Sequence, residues 1–290
     1  MNKFYIQIVL FLISISLYVN NKTLATEPAP QKIPPKNPNE STTPEPSDRC
    51  PTSEEIYEKN KNLLCTNPKE TKEAVEFMND AVKHLELHAK SMGGYKICDN
   101  IYDPRMNLYK KKHEDRTDIE KIVYAIYGLN KYNEIINEIW DPEHANPLNT
   151  GDVKIARVYN PNLVMIQQRY KKKFGTSQKY FYALAAKVET SQYDTIIAYA
   201  SADINDHNPS KKKYENKIVQ KANSFKTDIN SEEDIRKGKL RKAFVNLAGY
   251  YIQQSKDGAN ITYIESIDGH SSIKRDFFCG LCYNCYHIHK

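Results

Sequence analysis

The 290-residue sequence contains only ten glycines, one tryptophan and no glycine-rich nucleotide-binding loop. The low glycine content excludes a collagen-like chain, and the G-x-S-x-G turn of many hydrolases is also missing. His84 and His88 occur in the order His-Leu-Glu-Leu-His, which differs from the His-Glu-x-x-His order of zinc proteases. The sequence therefore predicts no enzyme, no metal site and no cofactor.

The excess of basic residues is small, because 42 Lys and Arg oppose 36 Asp and Glu and give a net charge of +6. This balance suits an anionic membrane surface but is too weak to predict nucleic-acid binding. Three Lys-Lys-Lys runs lie at residues 110–112, 171–173 and 211–213. Each run could simply be a solvated loop, whereas runs that share a face would attract anionic lipid headgroups. We expect transient contact with membrane surfaces and no nucleic-acid partner.

Residues 1–25 have the pattern of a secretory signal peptide. Lys3 precedes a short apolar stretch over residues 6–19, and Thr23 and Ala25 place small residues at a cleavage point. A membrane-spanning helix needs about 20 apolar residues, and this stretch is shorter. No later segment is as apolar, so we expect a soluble mature protein.

Residues 26–52 hold eight of the 14 prolines and a single large aliphatic residue, Ile33. Such a segment cannot bury enough apolar area to fold, so it is expected to be a disordered linker. Residues 53–290 are then expected to form one domain.

Within this domain the hydrophobic spacing alternates between helical and strand patterns. Helices are predicted at residues 68 to about 91, where Asn67 can cap the first turn, and at 130–140. Strands are predicted at 95–101, 108–112, 117–127, 153–159, 163–171, 179–189, 194–203, 239–254 and 260–267, and residues 209–237 are expected to be helical or looped. A helix, strands, a helix and a series of strands indicate an α+β fold with an antiparallel sheet.

Several runs of residues carry a more specific pattern, at 1–27, 51–60, 63–68, 130–137, 158–170, 179–187 and 264–270. The fifth run reads Val-Tyr-Asn-Pro-Asn-Leu-Val-Met-Ile-Gln-Gln-Arg-Tyr. In these runs the sequence resembles the fam-a multigene family of rodent malaria parasites, from residue 1 to about residue 273.

That family is similar to the START-related lipid-binding domains. The resemblance implies a START-like helix-grip fold, in which a curved antiparallel sheet surrounds a long C-terminal helix and a lipid-sized tunnel. It implies binding and transfer of phospholipid, with phosphatidylcholine as the expected lipid. The alternative is a START-like interaction protein that has lost its ligand and is displayed in or on the host cell.

The resemblance also implies secretion by the parasite and export to the parasitophorous vacuole, the host red-cell cytosol or the host membrane. The segment Lys22-Thr-Leu-Ala-Thr26 matches the export pentamer of the family only in part, because that pentamer begins with Arg and ends with an acid or Gln.

The C-terminus departs from the START pattern, since only 17 residues, 274–290, follow the region of resemblance. We expect an unusually short C-terminal helix there, with an apolar stripe of Phe277, Phe278, Leu281 and Ile288. Cys279, Cys282 and Cys285 form C-x2-C-x2-C, which could bind zinc or an iron–sulfur cluster, but the complete ligand set is missing. We expect apolar packing or disulfides instead.

Two further cysteines, Cys65 and Cys98, flank the first predicted helix. They form either a disulfide or two buried thiols, and the sequence does not favour one over the other. Cys50 lies in the linker and is expected to be unpaired.

Candidate lipid-binding residues follow from the strand at 179–189. Alternate residues share a face, and the START register places Tyr180, Tyr182 and Leu184 inward. Aromatic faces hold a quaternary ammonium, and Arg holds a phosphate. The candidates for the ammonium are Trp140, Tyr180 and Tyr182, and those for the phosphate are Arg157 and Arg169. Each aromatic could instead be plain core packing, and each Arg a surface salt bridge.

Overall fold

A computed structural model describes residues 49–98, 106–113, 117–129, 131–144, 151–172 and 174–269. The predicted signal peptide at 1–25, residues 26–48 of the predicted linker and the predicted tail helix at 274–290 lie outside these residues. None of the described helices combines the length and the apolar character needed to cross a membrane.

The described helices are few, and one of them is long. They are α1 at Ser53–Lys59, α2 at Pro68–Lys90, α3 at Tyr132–Trp140 and the single turn α4 at Glu233–Arg236, with 3-10 turns at Lys61–Leu63 and Gln220–Asn223. The predicted cap of α2 is confirmed, because Asn67 Oδ1 accepts hydrogen bonds from the backbone N–H of Lys69 and Glu70, at 3.0 and 3.3 Å.

There are twelve described strands, of which nine correspond in order to the nine predicted strands. They are β1 Lys96–Ile97, β2 Asn107–Lys112, β3 Asp118–Tyr127, β4 Gly151–Asn160, β5 Leu163–Tyr170, β6 Lys179–Ser191, β7 Asp194–Ala200, β8 Asp203–Asn205, β9 Lys226–Asp228, β10 Arg241–Lys242, β11 Phe244–Ser255 and β12 Gly258–Asp268. Nine of them form one curved antiparallel sheet in the order β1-β2-β3-β12-β11-β7-β6-β5-β4, with β10 added beside β6. The predicted α+β class is confirmed.

The sheet has two faces, and each carries its own hydrophobic cluster. The helix face packs against α2, and its buried side chains include Met165, Tyr180, Tyr182, Leu184, Ala198, Leu247, Tyr251 and Ile264. The groove face packs against α3, and its buried side chains include Ile166, Phe181, Ala183, Ala185, Ile197, Ala248, Tyr250, Ile261 and Tyr263. Neighbouring residues of one strand therefore belong to different clusters, as the period of a strand requires.

Residues 201–243, which we call the excursion, connect β7 to β11 and include β10. The excursion holds the parallel pair β8–β9 and packs against the N-terminal half of α2, with Phe225 lying 5.8 Å from Phe77 between ring centroids. Ile204, Val219 and Ile235 from the excursion are buried in the same cluster as α2. The helix face is thus covered by two segments, α2 and the excursion.

The three described cysteines, Cys50, Cys65 and Cys98, are all free thiols. The disulfide considered between Cys65 and Cys98 does not form. Cys50 Sγ lies 3.4 Å from His144 Nδ1, beyond the end of α3.

The C-terminal end of α2 contains a buried pair of titratable side chains. Lys121 is fully buried and donates hydrogen bonds to the carbonyls of His88 and Ser91, at 2.9 and 2.7 Å. These carbonyls lack partners within the helix, so the ammonium caps the helix end. His88 is buried beside Tyr95, with 3.0 Å between Nδ1 and the phenol oxygen. Burial, aided by nearby Lys111, lowers the pKa of His88 to about 4.

Acid should therefore destabilise the protein through His88. The unfolded chain takes up a proton near pH 6.5 that the folded chain binds only near pH 4, so the free energy of unfolding falls as the pH drops through this window. The maximum loss is about 3 kcal/mol. Urea unfolding at several pH values should show this slope in the native chain and in His84→Gln, a half-exposed neighbour on α2. It should be lost in His88→Gln; a slope that His88→Gln retains would contradict the assignment.

Candidate ligand groove

Two small cavities lie on the groove face, with volumes of about 30 and 40 Å³. Cavity 1 lies beneath α3 and is lined by Ile56, Ile139, Trp140, Asp141, Pro142, His144, Val153, Ile155, Val164, Ile166, Ala185 and Tyr199. Cavity 2 lies between β5 and β12 and is lined by Ile166, Gln168, Tyr170, Phe181, Tyr199, Val245, Ala248, Tyr250, Tyr263, Glu265 and Ile267. Ile166 and Tyr199 line both, so the cavities adjoin and form one groove.

The strands place small residues under the groove and larger ones at its sides. Ala185 of β6 forms the floor of cavity 1, and Ala248 of β11 lies in the floor of cavity 2. Both alanines are buried, and each is the cross-strand partner of Tyr199 in β7. The side chain of Tyr199 therefore stands between two short neighbours, which leaves open volume on each side.

Most of the polar side chains of the groove line cavity 2, while Asp141 and His144 line cavity 1. Tyr263 donates a hydrogen bond to Glu265, with 2.8 Å between oxygens, and its ring lies 4.8 Å from that of Tyr250. Burial raises the pKa of both Tyr199 and Tyr263 well above the ordinary value, so these phenols stay protonated and can donate. Gln168 adds a buried amide to the same wall. The cavity thus offers aromatic faces, hydroxyl groups and one carboxyl group.

Cavity 1 is the more apolar of the two and contains the single tryptophan. Trp140 is the last residue of α3 and is 6% exposed. It lies on the same buried face of the helix as Tyr132 and Ile136. No acceptor among the described residues lies within hydrogen-bond distance of its Nε1. The ammonium of Lys187 lies 5.9 Å from the ring centroid, and burial lowers the pKa of Lys187. A buried N–H donor is therefore available beside cavity 1.

The structure places the predicted set of β6 residues on the helix face and not in the groove. Tyr180, Tyr182 and Leu184 do not line either cavity; they lie on the helix face, where Tyr180 donates a hydrogen bond of 2.8 Å to Asp206 of the excursion. Tyr182 is hydrogen-bonded to Gln167 on the same side. Residues of the other set, Phe181 and Ala185, line the groove instead.

The two arginines proposed for a phosphate are engaged in ion pairs away from both cavities. Arg157 lies 2.6 Å from Glu70 of α2 and donates 2.7 Å to the carbonyl of Asp228 in β9. Arg169 makes two hydrogen bonds to Asp234, at 2.6 and 2.9 Å. Both arginines therefore hold α2 or the excursion to the edge of the sheet.

Of the predicted site residues, Trp140 alone lines one of these two cavities. The groove residues that sequence reasoning missed include Phe181, Ala185, Tyr199 and Tyr263. Strand alternation separates these residues from the set that faces α2, but the sequence does not show which of the two sets faces the groove.

Comparison with known proteins agrees with this architecture. No protein-family model and no curated protein sequence matches the chain. Human StAR-related lipid transfer protein 5 is similar in structure, with a TM-score of 0.52 at 12% identity over 76% of this chain and 100% of that one. Human STARD10 gives a TM-score of 0.46 at 13% identity, over 71% of this chain and 82% of that one. The chain has the START-like helix-grip fold, as the sequence predicted; the C-terminal helix predicted for residues 274–290 lies outside the described residues.

Proposed function

We propose that the protein binds a phospholipid in the groove and transfers it between membranes. The observation that carries the proposal is the pair of adjoining cavities on the groove face, which share Ile166 and Tyr199 in their linings. An apolar lining with a few convergent polar groups is typical of small-molecule binding sites. Because volumes of about 30 and 40 Å³ are below the about 300–1,000 Å³ of a preformed ligand pocket, the proposal requires the groove to widen when a lipid enters. The structural neighbour named a lipid transfer protein shares the fold and supports a lipid as the ligand.

Each cavity has a part in this proposal. Cavity 1 would hold an acyl chain against Ile155, Val164 and Ile166. The acyl chain and these side chains would then both lose contact with water, which favours binding. The N–H of Trp140 would donate to an ester oxygen of the lipid, which would satisfy a buried donor that otherwise costs free energy.

Cavity 2 would hold the headgroup, and phosphatidylcholine is the proposed lipid. A quaternary ammonium is attracted to aromatic faces, and Tyr250 and Tyr263 present two of them beside the carboxyl group of Glu265. Arg157 and Arg169 are committed elsewhere, so the phosphate would be bound by the phenols and by Gln168.

Secretion and export from a malaria parasite remain part of the proposal, on the strength of the signal-like residues 1–25 and the resemblance to the fam-a family. The alternative function is a START-like interaction protein without ligand. A groove that does not widen around a lipid would favour that alternative, whereas a groove that admits one would favour the lipid carrier.

The full-length chain should speed the movement of fluorescent phosphatidylcholine from donor to acceptor vesicles, without hydrolysing it. Transfer is followed by relief of self-quenching, and the lipid is recovered and checked by mass spectrometry. Absence of acceleration at micromolar protein, with no lipid bound to the purified chain, would favour the interaction protein.

A further inference from the structure

One hairpin tip of the sheet combines two basic side chains with a fully exposed aromatic ring. The loop between β5 and β6 holds Lys171, Lys172 and Phe174, all exposed, and the exposed fraction of Phe174 is 106% of its reference value. Gly175 follows with φ of +73°, a left-handed turn that favours glycine, and a Cβ added there would meet no atom within 4 Å. The tip therefore stands clear of the rest of the described protein.

The strand register brings the other two lysine runs to this same end of the sheet. Lys112 is the last residue of β2 and pairs with Asp118, the first residue of β3. Lys213 precedes Tyr214, whose ring stacks on Phe244 at the start of β11, with 5.2 Å between ring centroids. We call this end, with its lysines at 110–112, 171–172 and 211–213, the basic end.

Some of these charges are compensated, and others face solvent. Lys110 is paired with Asp118 and Glu120, at 2.8 and 3.5 Å. Lys171, Lys172, Lys211 and Lys213 are exposed. Exposed lysines next to an exposed aromatic ring have the chemistry of a contact with anionic lipid: the ammonium groups attract the headgroups and the ring enters the interface.

The basic end also lies beside cavity 2. Tyr170 and Phe181, which line that cavity, flank the hairpin loop on its two strands. Val245 and Ile267 line it from the same end of β11 and β12. A bilayer that meets the basic end would thus meet the side of the molecule on which cavity 2 lies.

We propose that the basic end is a docking surface for an anionic lipid bilayer, with Phe174 inserted among the headgroups. This proposal requires the charges and the exposed ring alone, so it stands whether or not the groove carries lipid. The opposite end of the sheet also exposes apolar side chains, Tyr127, Leu129 and Tyr193. It lacks a lysine run, and neither cavity 2 nor the hairpin tip lies there.

Cosedimentation of the full-length chain with vesicles tests the proposal. Vesicles of phosphatidylcholine with added phosphatidylserine should bind the native chain, and vesicles of phosphatidylcholine alone should bind it weakly. Lys171→Glu/Lys172→Glu should weaken binding at least about tenfold, because each lysine at the surface contributes about a factor of five. Phe174→Ser should weaken it about tenfold as well, through the lost burial of the ring. About 1 M salt should abolish the lysine effect, since it shortens the screening length to about 3 Å.

Matched controls lie at the opposite end of the sheet. Lys256→Glu and Tyr193→Ser change an exposed lysine and a tyrosine that is 56% exposed, both in turns, and they should leave vesicle binding unchanged. Native-like binding by the Lys171→Glu/Lys172→Glu and Phe174→Ser variants would overturn the proposal. Equal losses in the control variants, or binding to duplex nucleic acid and not to vesicles, would overturn it too. Vesicle binding is measured apart from lipid transfer, so failure of one proposal is distinguishable from failure of the other.

Discussion

Replacing Ala185 with tryptophan is expected to abolish lipid transfer while the domain stays folded. Ala185 is buried in β6 and lines cavity 1, so the new indole would occupy the space proposed for an acyl chain. Because the cavity volume of about 30 Å³ is smaller than an indole ring, we expect the usual cost of overpacking a core, about 1–3 kcal/mol. We expect transfer of fluorescent phosphatidylcholine to fall at least about tenfold, which corresponds to about 1.4 kcal/mol of lost binding.

Ala125 provides the matched control for this substitution. It lies in β3, half-buried, between Tyr124 and Ile126, which both pack on the groove face, so its own side chain is directed to the other side. Ala125→Trp should keep transfer near the native rate. Urea unfolding of both variants separates a blocked groove from a damaged fold. Native transfer by a folded Ala185→Trp chain would show that the ligand does not occupy cavity 1.

Replacing Gly249 with alanine is expected to cost about 4 kcal/mol or more of the free energy of unfolding. Gly249 lies in β11 on the helix face with φ of +145°, a conformation that L-residues rarely adopt. A Cβ there would collide with the carbonyl oxygen of Ile197 in the neighbouring strand and would lie 2.6 Å from Leu85 of α2. Glycine is therefore required where α2 approaches the sheet.

Urea unfolding measures this effect, with Gly93→Ala as the control. A Cβ at Gly93 meets Ser91 Oγ at an ordinary 3.4 Å, so that variant should stay within about 0.5 kcal/mol of the native chain. Adding Leu85→Ala to Gly249→Ala should restore little, because the collision with the Ile197 carbonyl involves backbone. A Gly249→Ala chain as stable as Gly93→Ala would contradict this account.

Local sequence signals were sufficient for the long helix and for nine of the twelve described strands. The apolar spacing and the Asn67 cap predicted α2, and the alternating strand patterns predicted the order of the sheet. The short helix α1 was missed, because it lies next to the proline-rich segment and has only seven residues. The β8–β9 pair was missed because a parallel pair of three-residue strands has little pattern of its own.

The choice of sheet face was beyond the sequence for a physical reason. Every residue from Tyr180 to Ala186 is buried, since α2 covers one face of β6 and the groove cluster lies on the other. Alternation then divides the residues of the strand into two sets. Neither set faces solvent, so polarity does not show which set lies on which face of the sheet. In β11 the register shifts between Val245 and Leu247, so the alternation changes phase within one strand.

The ion-pair partners of Arg157 and Arg169 could not be predicted from the sequence either. Arg157 meets Glu70 across 87 residues of sequence, and Arg169 meets Asp234 across 65. An arginine paired with an acid on a covering segment and an arginine that awaits a phosphate have the same local sequence. The three-dimensional contacts alone distinguish these roles.

The central claim is that the ligand lies on the groove face and not on the helix face. Photo-crosslinking tests it most directly, with the full-length chain bound to phosphatidylcholine that carries a diazirine in one acyl chain. After irradiation, mass spectrometry locates the modified residues. The account predicts labels on groove residues such as Phe181, Ala185 and Tyr199. Labels on Tyr182 and Leu184 of the helix face, from a chain that has bound the lipid, would contradict it.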